Sequence, residues 1–498
     1  INVKQSFSDF ILYIFPSVVT MVLVSFYSAI DSWFLAQYVS TNAMAAINIV
    51  LPYSNLIWGL AVMFTCGSCA LVGIKLGEGK RSLANTYFTS MFWFLTGFTA
   101  IFAIVAYFNM DRIIYSLGST ALLFEDCKTY LKYMILGTPI LAVKLFLEYY
   151  IRLDGRPAYS LVMSLTGFIL NIVLDYYTIV VLGWGVFGAS ISTITSIATS
   201  TLMGLVYFKL YETNLKFTKF HWNKWYFIKS SFNGAGEMLT ELSSGIVTIF
   251  FNIAIIKFAG EDGVAAMAVN INIFYFLISI YLGIATGAQP VISYAYGAQN
   301  KKRLGEIIDH CKKAILFGSL AVFTLARFYG ANIISWYIGD NQQVIDLAVH
   351  GFRMFSYCFI FLGFNIFIAG FYTAIGNGLI AGIISLLRSL IFVLAALFTL
   401  PSLIGICTFR RTGNNGDFDS LLSDVRQQLL QKAGVISNKT QSSAKLCPHR
   451  QSFLFFFTAT RYSQKNNDDT EIISIPPLFF CMLLKFYIAF LFCKSART

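Results

Sequence analysis

Long apolar runs separated by short polar breaks recur along this sequence, and they constrain its fold more than any other feature. Each run reaches about 20 residues, the length that an α-helix needs to cross the hydrocarbon core of a bilayer. Transmembrane β-strands would instead alternate in polarity over about ten residues. Hydrophobic residues make up 57% of the chain and charged residues only 12%. The sequence therefore predicts an all-α polytopic membrane protein and excludes a soluble core as the main architecture.

Eleven helical spans can be counted before the pattern fails. They are predicted at residues 8–37, 44–74, 84–108, 128–151, 157–182, 185–210, 226–257, 264–296, 304–328, 344–374 and 379–405. The basic residues that give the net charge of +12 gather in alternate loops, at 75–81, 152–156, 209–229 and 301–313. Such loops face the cytoplasm, so the N-terminus is predicted to be cytoplasmic and the charge does not indicate a nucleic-acid partner.

The chain resembles itself at an offset of about 220 residues. Gly67 and Gly77 correspond to Gly287 and Gly297, and each pair is followed by a basic loop. An even number of spans separates the copies, so the pattern predicts two six-helix lobes in a parallel repeat, at residues 1–215 and 216–406. The sixth helix of the second copy is missing, because the segment expected to form it, near 406–428, is too polar to cross a bilayer.

The segment 407–498 is therefore an atypical tail, which we predict to be non-native, as after a frameshift or an altered splice, in preference to a genuine extension. Its apolar run at 475–493 is long enough to cross once, although Lys485 lies at the middle of that run. The missing helix leaves open whether the chain folds and transports normally.

Three helices of the first lobe carry polar side chains at one depth. Asp31 lies about 12 Å inside the end of the first helix at 1.5 Å per residue. Asp175 and Thr193 lie equally deep in the fifth and sixth helices, and Asn171 precedes Asp175 by one helical turn. Two carboxylates, an amide oxygen and a hydroxyl suit Na⁺, and two neighbouring acids can also share a proton. The alternative is that these side chains only bond neighbouring helices or face water at the rim.

Other intramembrane charges are weaker candidates. Glu237 and Glu241 share one face of the seventh helix, and either could neutralise Arg388 in the eleventh. Lys144 and Glu148 stand four residues apart and are predicted to form a structural ion pair. The histidines show no metal-ligand spacing and no Walker A sequence is present, so neither an enzyme site nor an ATP-driven cycle is predicted.

Several segments together are similar to the multidrug and toxic compound extrusion (MATE) family of bacterial type, over about residues 1–406. They are Pro16 followed by Asp31, ALVGIKLGEGKR, RLDGRP, LNIVLDY, GVFGASIST, GEMLTELSSGIVTIFFN and GAQPVISYAYGAQNKKR. The resemblance implies twelve helices in two lobes, and a cation site at Asp31, Asn171, Asp175 and Thr193. It also implies a functional acid on the seventh helix in some members.

The expected function is secondary antiport, in which an organic cation or drug is exported across the plasma membrane in exchange for Na⁺ or H⁺. We expect a monomer in the bilayer without a cofactor, in which Na⁺ at the first-lobe site is the only metal. Two alternatives stay open at this point. One is a lipid-linked oligosaccharide flippase of the same broad superfamily, and the other is a truncated or frameshifted transporter that does not function.

Overall fold

A computed structural model describes residues 6–338, 342–395 and 397 of this chain. The names first lobe and second lobe are kept for residues 1–215 and 216–406, the bounds that the sequence predicts. The described part of the first lobe consists of seven α-helices. They are α1 (Phe7–Tyr38), α2 (Thr41–Gly77), α3 (Arg81–Phe108), α4 (Met110–Ser116), α5 (Phe124–Leu153), α6 (Pro157–Asp175) and α7 (Gly185–Leu210). A π-helical turn, Tyr176–Val181, continues α6 toward α7.

The described part of the second lobe contains six further α-helices. They are α8 (Lys224–Gly297), α9 (Lys301–Thr324), α10 (Gly330–Ile338), α11 (Gln342–Phe355), α12 (Phe359–Ala374) and α13 (Gly378–Leu386). π-Helical turns at Leu325–Tyr329 and Leu387–Ile391 extend α9 and α13. The predicted tail 407–498 and its span 475–493 lie outside the described residues.

Ten segments of the described chain are long and apolar enough to cross a membrane. Their hydropathy and length confirm the all-α polytopic membrane class that the sequence predicts. The short helix α4, with its charged residues Asp111 and Arg112, had no counterpart among the predicted spans. The predicted span 379–405 is helical through 395, with its remaining residues mostly outside the described part.

Helical residues run without interruption through α8, where the sequence predicts two spans. Both parts of α8 nevertheless contact the same stretch of α2. Gly67 packs on Ser230 and Gly234, and Gly77 packs on Tyr294 and Gly297. Ten residues of α2 cover only about 15 Å, whereas 60 residues of straight helix would cover about 90 Å. The chain therefore reverses direction within α8, as two antiparallel spans require.

The core of the first lobe centres on α5, which packs against α2, α3 and α7. Aromatic rings fill the space between α3 and α5, and those of Phe146 and Tyr150 stack at 4.2 Å between centroids. Phe88 joins them from α3. Large, fully buried aromatic side chains contribute most of the packing energy of such a core. These rings therefore hold α3 against α5.

The linker between α7 and α8, residues 211–223, is bonded along its length to the first lobe. The carboxylate of Asp154 accepts hydrogen bonds from the Tyr207 hydroxyl (2.6 Å) and from the backbone N–H groups of Asn214 (2.7 Å) and Leu215 (3.2 Å). Burial raises the pKa of the Asp154 carboxyl, and these three hydrogen bonds act to lower it.

Side chains of α3 hold the rest of the linker. Thr89 accepts a bond from the Thr218 N–H at 2.9 Å, and Ser90 bonds both the N–H and the carbonyl of His221. These polar contacts satisfy the backbone of an extended segment that makes no helix of its own. We call the side of the molecule that holds the start of α1 and the helix ends at 78–80, 154–156, 211–223, 298–300 and 375–377 the basic-loop face. The side that holds the remaining helix ends is the opposite face.

A candidate cation site

The polar residues predicted at one depth do lie together. Asp31 is on α1, Asn171 and Asp175 are on α6, and Thr193 is on α7. The Thr193 hydroxyl donates to Asp31 Oδ2 at 3.2 Å. The side chains of Asn171 and Asp175 also face the Asp31 carboxyl. α1 packs against α6 and α7, and this packing brings Asp31 together with residues that are 140 or more positions away in the chain.

All four side chains are withdrawn from solvent. The exposed fraction is 5% for Asp31, 0% for Asp175, 1% for Asn171 and 3% for Thr193. Asp31 Oδ1, both carboxyl oxygens of Asp175 and both amide atoms of Asn171 lack a hydrogen-bond partner of good geometry among the described residues. A buried carboxylate without a partner is costly, so this group of oxygens is suited to binding a cation or a proton.

The end of α6 has an unusual backbone next to Asp175. Asp175 is the last residue of α6, and the π-helical turn begins at Tyr176. Thr178 in that turn shares a hydrogen bond of 2.9 Å with Ser192 of α7, which itself faces Asp175. π-Helical turns occur frequently at functional sites. The turn and the Thr178–Ser192 bond together fix where the Asp175 carboxyl points.

Sequence reasoning missed three residues around this group. Ser192 and Thr178 are ordinary hydroxyl residues in an apolar run, and Tyr130 of α5 is buried beside Asp31 and Asp175. None of them carries a charge that would mark it out in a membrane span. Only the depth of Tyr130, about six residues after α5 begins, could have placed it near the acids.

The second-lobe acids lie apart from this group. Glu237 and Glu241 are on α8 and half buried, and the Glu241 side chain packs on Gly59 of α2. Arg388 donates to the Thr240 hydroxyl at 3.2 Å and lies within electrostatic range of Glu237. Among the described residues it forms no ion pair shorter than 4.0 Å with either acid. A role for these three charges in transport stays a prediction.

The predicted pair of Lys144 and Glu148 is present, and it has a third member. Lys144 Nζ lies 2.6 Å from Glu148, and the Arg152 guanidinium bonds the other oxygen of the same carboxylate. Arg152 also donates to the Ser160 hydroxyl at 3.2 Å. The placement of Arg152 in a basic loop was wrong, because α5 continues to Leu153 and buries this side chain to 1% exposure. We call Lys144, Glu148 and Arg152 the α5 charge cluster.

The chain is similar to known proteins over most of its length. The MatE family model matches residues 16–177 and 235–398, which is more than half of the chain. Multidrug export protein MepA of Staphylococcus aureus (strain bovine RF122 / ET3-1) is 24% identical over 405 residues, covering 78% of this chain and 86% of that protein. The protein of the same name from Staphylococcus saprophyticus is 22% identical over 400 residues.

Solved structures share this fold. A crystal structure described as MATE in complex with MaL6 superimposes with a TM-score of 0.75 at 21% identity, covering 78% of this chain and 88% of that chain. A MOP superfamily transporter from Pyrococcus furiosus, described as having a binding pocket of reversed polarity, gives a TM-score of 0.71 at 21% identity over 77% of this chain and 86% of that chain. The family match and the ten apolar helices together define a class, the multi-pass helical membrane transporters.

Within that class, the chain belongs to the MatE family. The family consists of transporters, so the prediction that this protein is not an enzyme is confirmed. The membrane location and a small-molecule substrate follow from the same relationship.

Proposed function

We propose that this protein is a secondary antiporter that exports organic cations, drugs among them, in exchange for Na⁺ or H⁺. The relatives named as multidrug export proteins support drug-like substrates. Asp31, Asn171, Asp175 and Thr193 are proposed to bind the coupling cation. In this proposal the protein works as a monomer in the plasma membrane, with its N-terminus and basic-loop face in the cytoplasm.

One observation carries the proposal. Asp31 and Asp175 face each other while almost fully buried, and no Lys or Arg among the described residues forms an ion pair with either acid. Two such carboxylates repel each other when both are ionised, so they favour binding a proton or a metal cation between them. The amide oxygen of Asn171 and the hydroxyl of Thr193 would complete an oxygen-rich site for Na⁺.

α1 provides a route from cation binding to substrate release. It carries Asp31 near one end, and its middle packs on α8 of the second lobe through Ser17 and Val18. Pro16 interrupts the hydrogen bonding of α1 just before these contacts, which makes a bend there less costly. A cation that draws α1 toward α6 and α7 would therefore alter the packing between lobes. Coupling needs only that bound cation weakens the binding of substrate, and the reverse, by about 1–3 kcal/mol.

The test is efflux of a fluorescent cationic dye from cells that express the chain. Asp31→Asn and Asp175→Asn keep the shape of each side chain and remove its charge, so both should abolish cation-driven export while membrane expression stays normal. The matched control is Asp309→Asn, because Asp309 is an exposed acid on α9 with only a surface partner. Export that survives in both carboxamide variants would contradict the proposed site.

A second version of the chain tests the tail. Residues after Ile406 are replaced by an apolar twelfth helix, and efflux is compared with the original chain. Export by the replacement alone would identify the tail as the defect and leave the assignment of 1–406 intact. If neither version exports dye although both reach the membrane, the flippase alternative becomes the better explanation. Proteoliposomes with an imposed Na⁺ or H⁺ gradient then identify the coupling ion.

A further inference from the structure

The two halves of the internal repeat touch each other through their backbones at the basic-loop face. A Cβ atom on Gly77 of α2 would collide with the carbonyl oxygen of Tyr294, and a Cβ on Gly297 would collide with that of Ile74. The two contacts are reciprocal, since each glycine meets the carbonyl three residues before the other. They obey the offset of the sequence repeat, which maps 74 onto 294 and 77 onto 297.

A second reciprocal contact lies ten residues earlier on α2, farther from the basic-loop face. A Cβ on Gly67 would collide with the Ser230 carbonyl oxygen, and one on Gly234 would collide with that of Met63. Asn233 adds a hydrogen bond from its side-chain amide to the Gly67 carbonyl at 3.1 Å. α2 is thus sealed against both spans of α8, with no room for side chains between them at these points.

The opposite face is organised differently. Its buried apolar side chains form two separate groups among the described residues, one containing residues 34–189 and the other residues 266–366. By contrast, the core near the basic-loop face mixes the two halves of the chain, because Tyr226 and Phe227 of α8 pack with α2, α3 and α5 of the first lobe. The lobes therefore meet most closely at the basic-loop face.

We propose that Gly77 and Gly297 form the closed contact of a gate at the basic-loop face, which must separate for the transporter to open on that side. This inference rests on the proposed function only in requiring that the site be reached from both faces in turn. Backbone contact of this kind permits a tight seal without side-chain interlocking, so the gate can part without unfolding either helix.

The sharpest test measures the gate itself. Nitroxide labels are attached to the thiols introduced by Glu78→Cys and Ala298→Cys, at two exposed positions beside the glycines, in a chain whose Cys358, Cys407, Cys447, Cys481 and Cys493 are replaced by Ser. Gly77→Ala and Gly297→Ala should each lower the population at the shortest label distance by roughly half or more, because the added methyl excludes the closed contact. The matched control is Gly305→Ala, whose Cβ would meet no atom within 4 Å.

The two substitutions should be strongly non-additive, because either one removes the same contact. An unchanged distance distribution in both single variants would overturn the proposal. This readout does not involve export, so it stays decisive even if the parent chain moves no dye.

A second experiment avoids any substitution of the glycines. A short, cleavable thiol cross-linker joins the two cysteines introduced by Glu78→Cys and Ala298→Cys. The cross-link is expected to hold the gate shut and to lower dye export by about tenfold or more, and cleaving the linker should restore export. Full export by the cross-linked protein would also overturn the proposal. Chains that carry only one of the two substitutions, treated with the same reagent, serve as controls.

Discussion

Two groups of buried charge lie in the first lobe, and they differ in how they are neutralised. In the α5 charge cluster, Glu148 stands between Lys144 and Arg152 and bonds both. In the candidate cation site, Asp31 and Asp175 face each other and have only neutral neighbours among the described residues. Burial alone therefore does not distinguish a structural charge from a functional one. The neighbouring groups do distinguish them, because two facing buried carboxylates that lack a cationic partner favour binding a proton or a metal cation.

The largest expected effect breaks the neutralised group. Glu148→Gln leaves two buried cations without their carboxylate, which should destabilise the protein by about 3–5 kcal/mol. Asp175→Asn should not destabilise it, because removing one of two facing acids relieves repulsion. Thermal unfolding and size-exclusion profiles in detergent compare the variants. Equal stability of the two would show that the α5 charge cluster and the acid pair do not differ as described.

A fourth buried acid, Asp154, tests whether neutral hydrogen-bond donors are enough to stabilise a buried carboxylate. Asp154→Ala removes three hydrogen bonds and frees the linker, with an expected loss of about 2–3 kcal/mol in stability. Limited trypsin digestion should also cut faster at Lys216 and Lys219 in the linker. Glu212→Ala provides the control, because Glu212 is exposed in the same linker. Unchanged digestion would mean that Asp154 does not hold the linker.

A smaller effect is expected within the cation site. Thr193→Val keeps the shape of the side chain and removes its hydrogen bond to Asp31, worth about 1 kcal/mol. The apparent affinity for the coupling cation should fall by roughly fivefold, with maximal export less affected. Thr199→Val, at a half-buried threonine on the same helix whose hydroxyl donates to the Thr195 carbonyl, should have no effect. Identical cation dependence in the two variants would remove Thr193 from the proposed site.

The smallest effect is expected at the surface. Lys75 and Lys80 both bond Glu78 and hold the pKa of its carboxyl below the ordinary value of 4.5. This contribution to stability is present above pH 4.5 and is lost as the pH falls through the lowered pKa. Because the group is exposed, Glu78→Gln should cost less than about 1 kcal/mol at pH 7. A loss comparable to that of Glu148→Gln would erase the distinction between exposed and buried clusters.

Much of the site was predictable from helix ends and depth. The number of residues between each of Asp31, Asp175 and Thr193 and the nearest helix end was enough to predict that they lie together. Helices that cross one bilayer end at similar heights, so equal residue counts from those ends give equal depths. The α5 charge cluster was only half predictable. Arg152 stands just before Gly155 and Pro157, both of which indicate a turn, so its last-turn helical position could not be distinguished from a loop.

Other features depend on packing that sequence does not display. Thr178 contacts Ser192 from within a π-helical turn, and no residue pattern in this segment predicts such a turn. Likewise, the repeat predicted that Gly77 and Gly297 are equivalent, but not that they touch. Equivalence is a property of the one-dimensional pattern, whereas contact depends on how α2 and α8 cross.

The linker 211–223 has a consequence for the ancestry of the chain. Since Asp154 and the α3 hydroxyls bind the linker to the first lobe, it is a fixed part of that lobe and not a free tether between the two repeat copies. The peptide connection between the repeat copies then contributes little to how the copies recognise each other. That is the arrangement expected of a fused gene whose ancestral products assembled as a dimer of separate polypeptides.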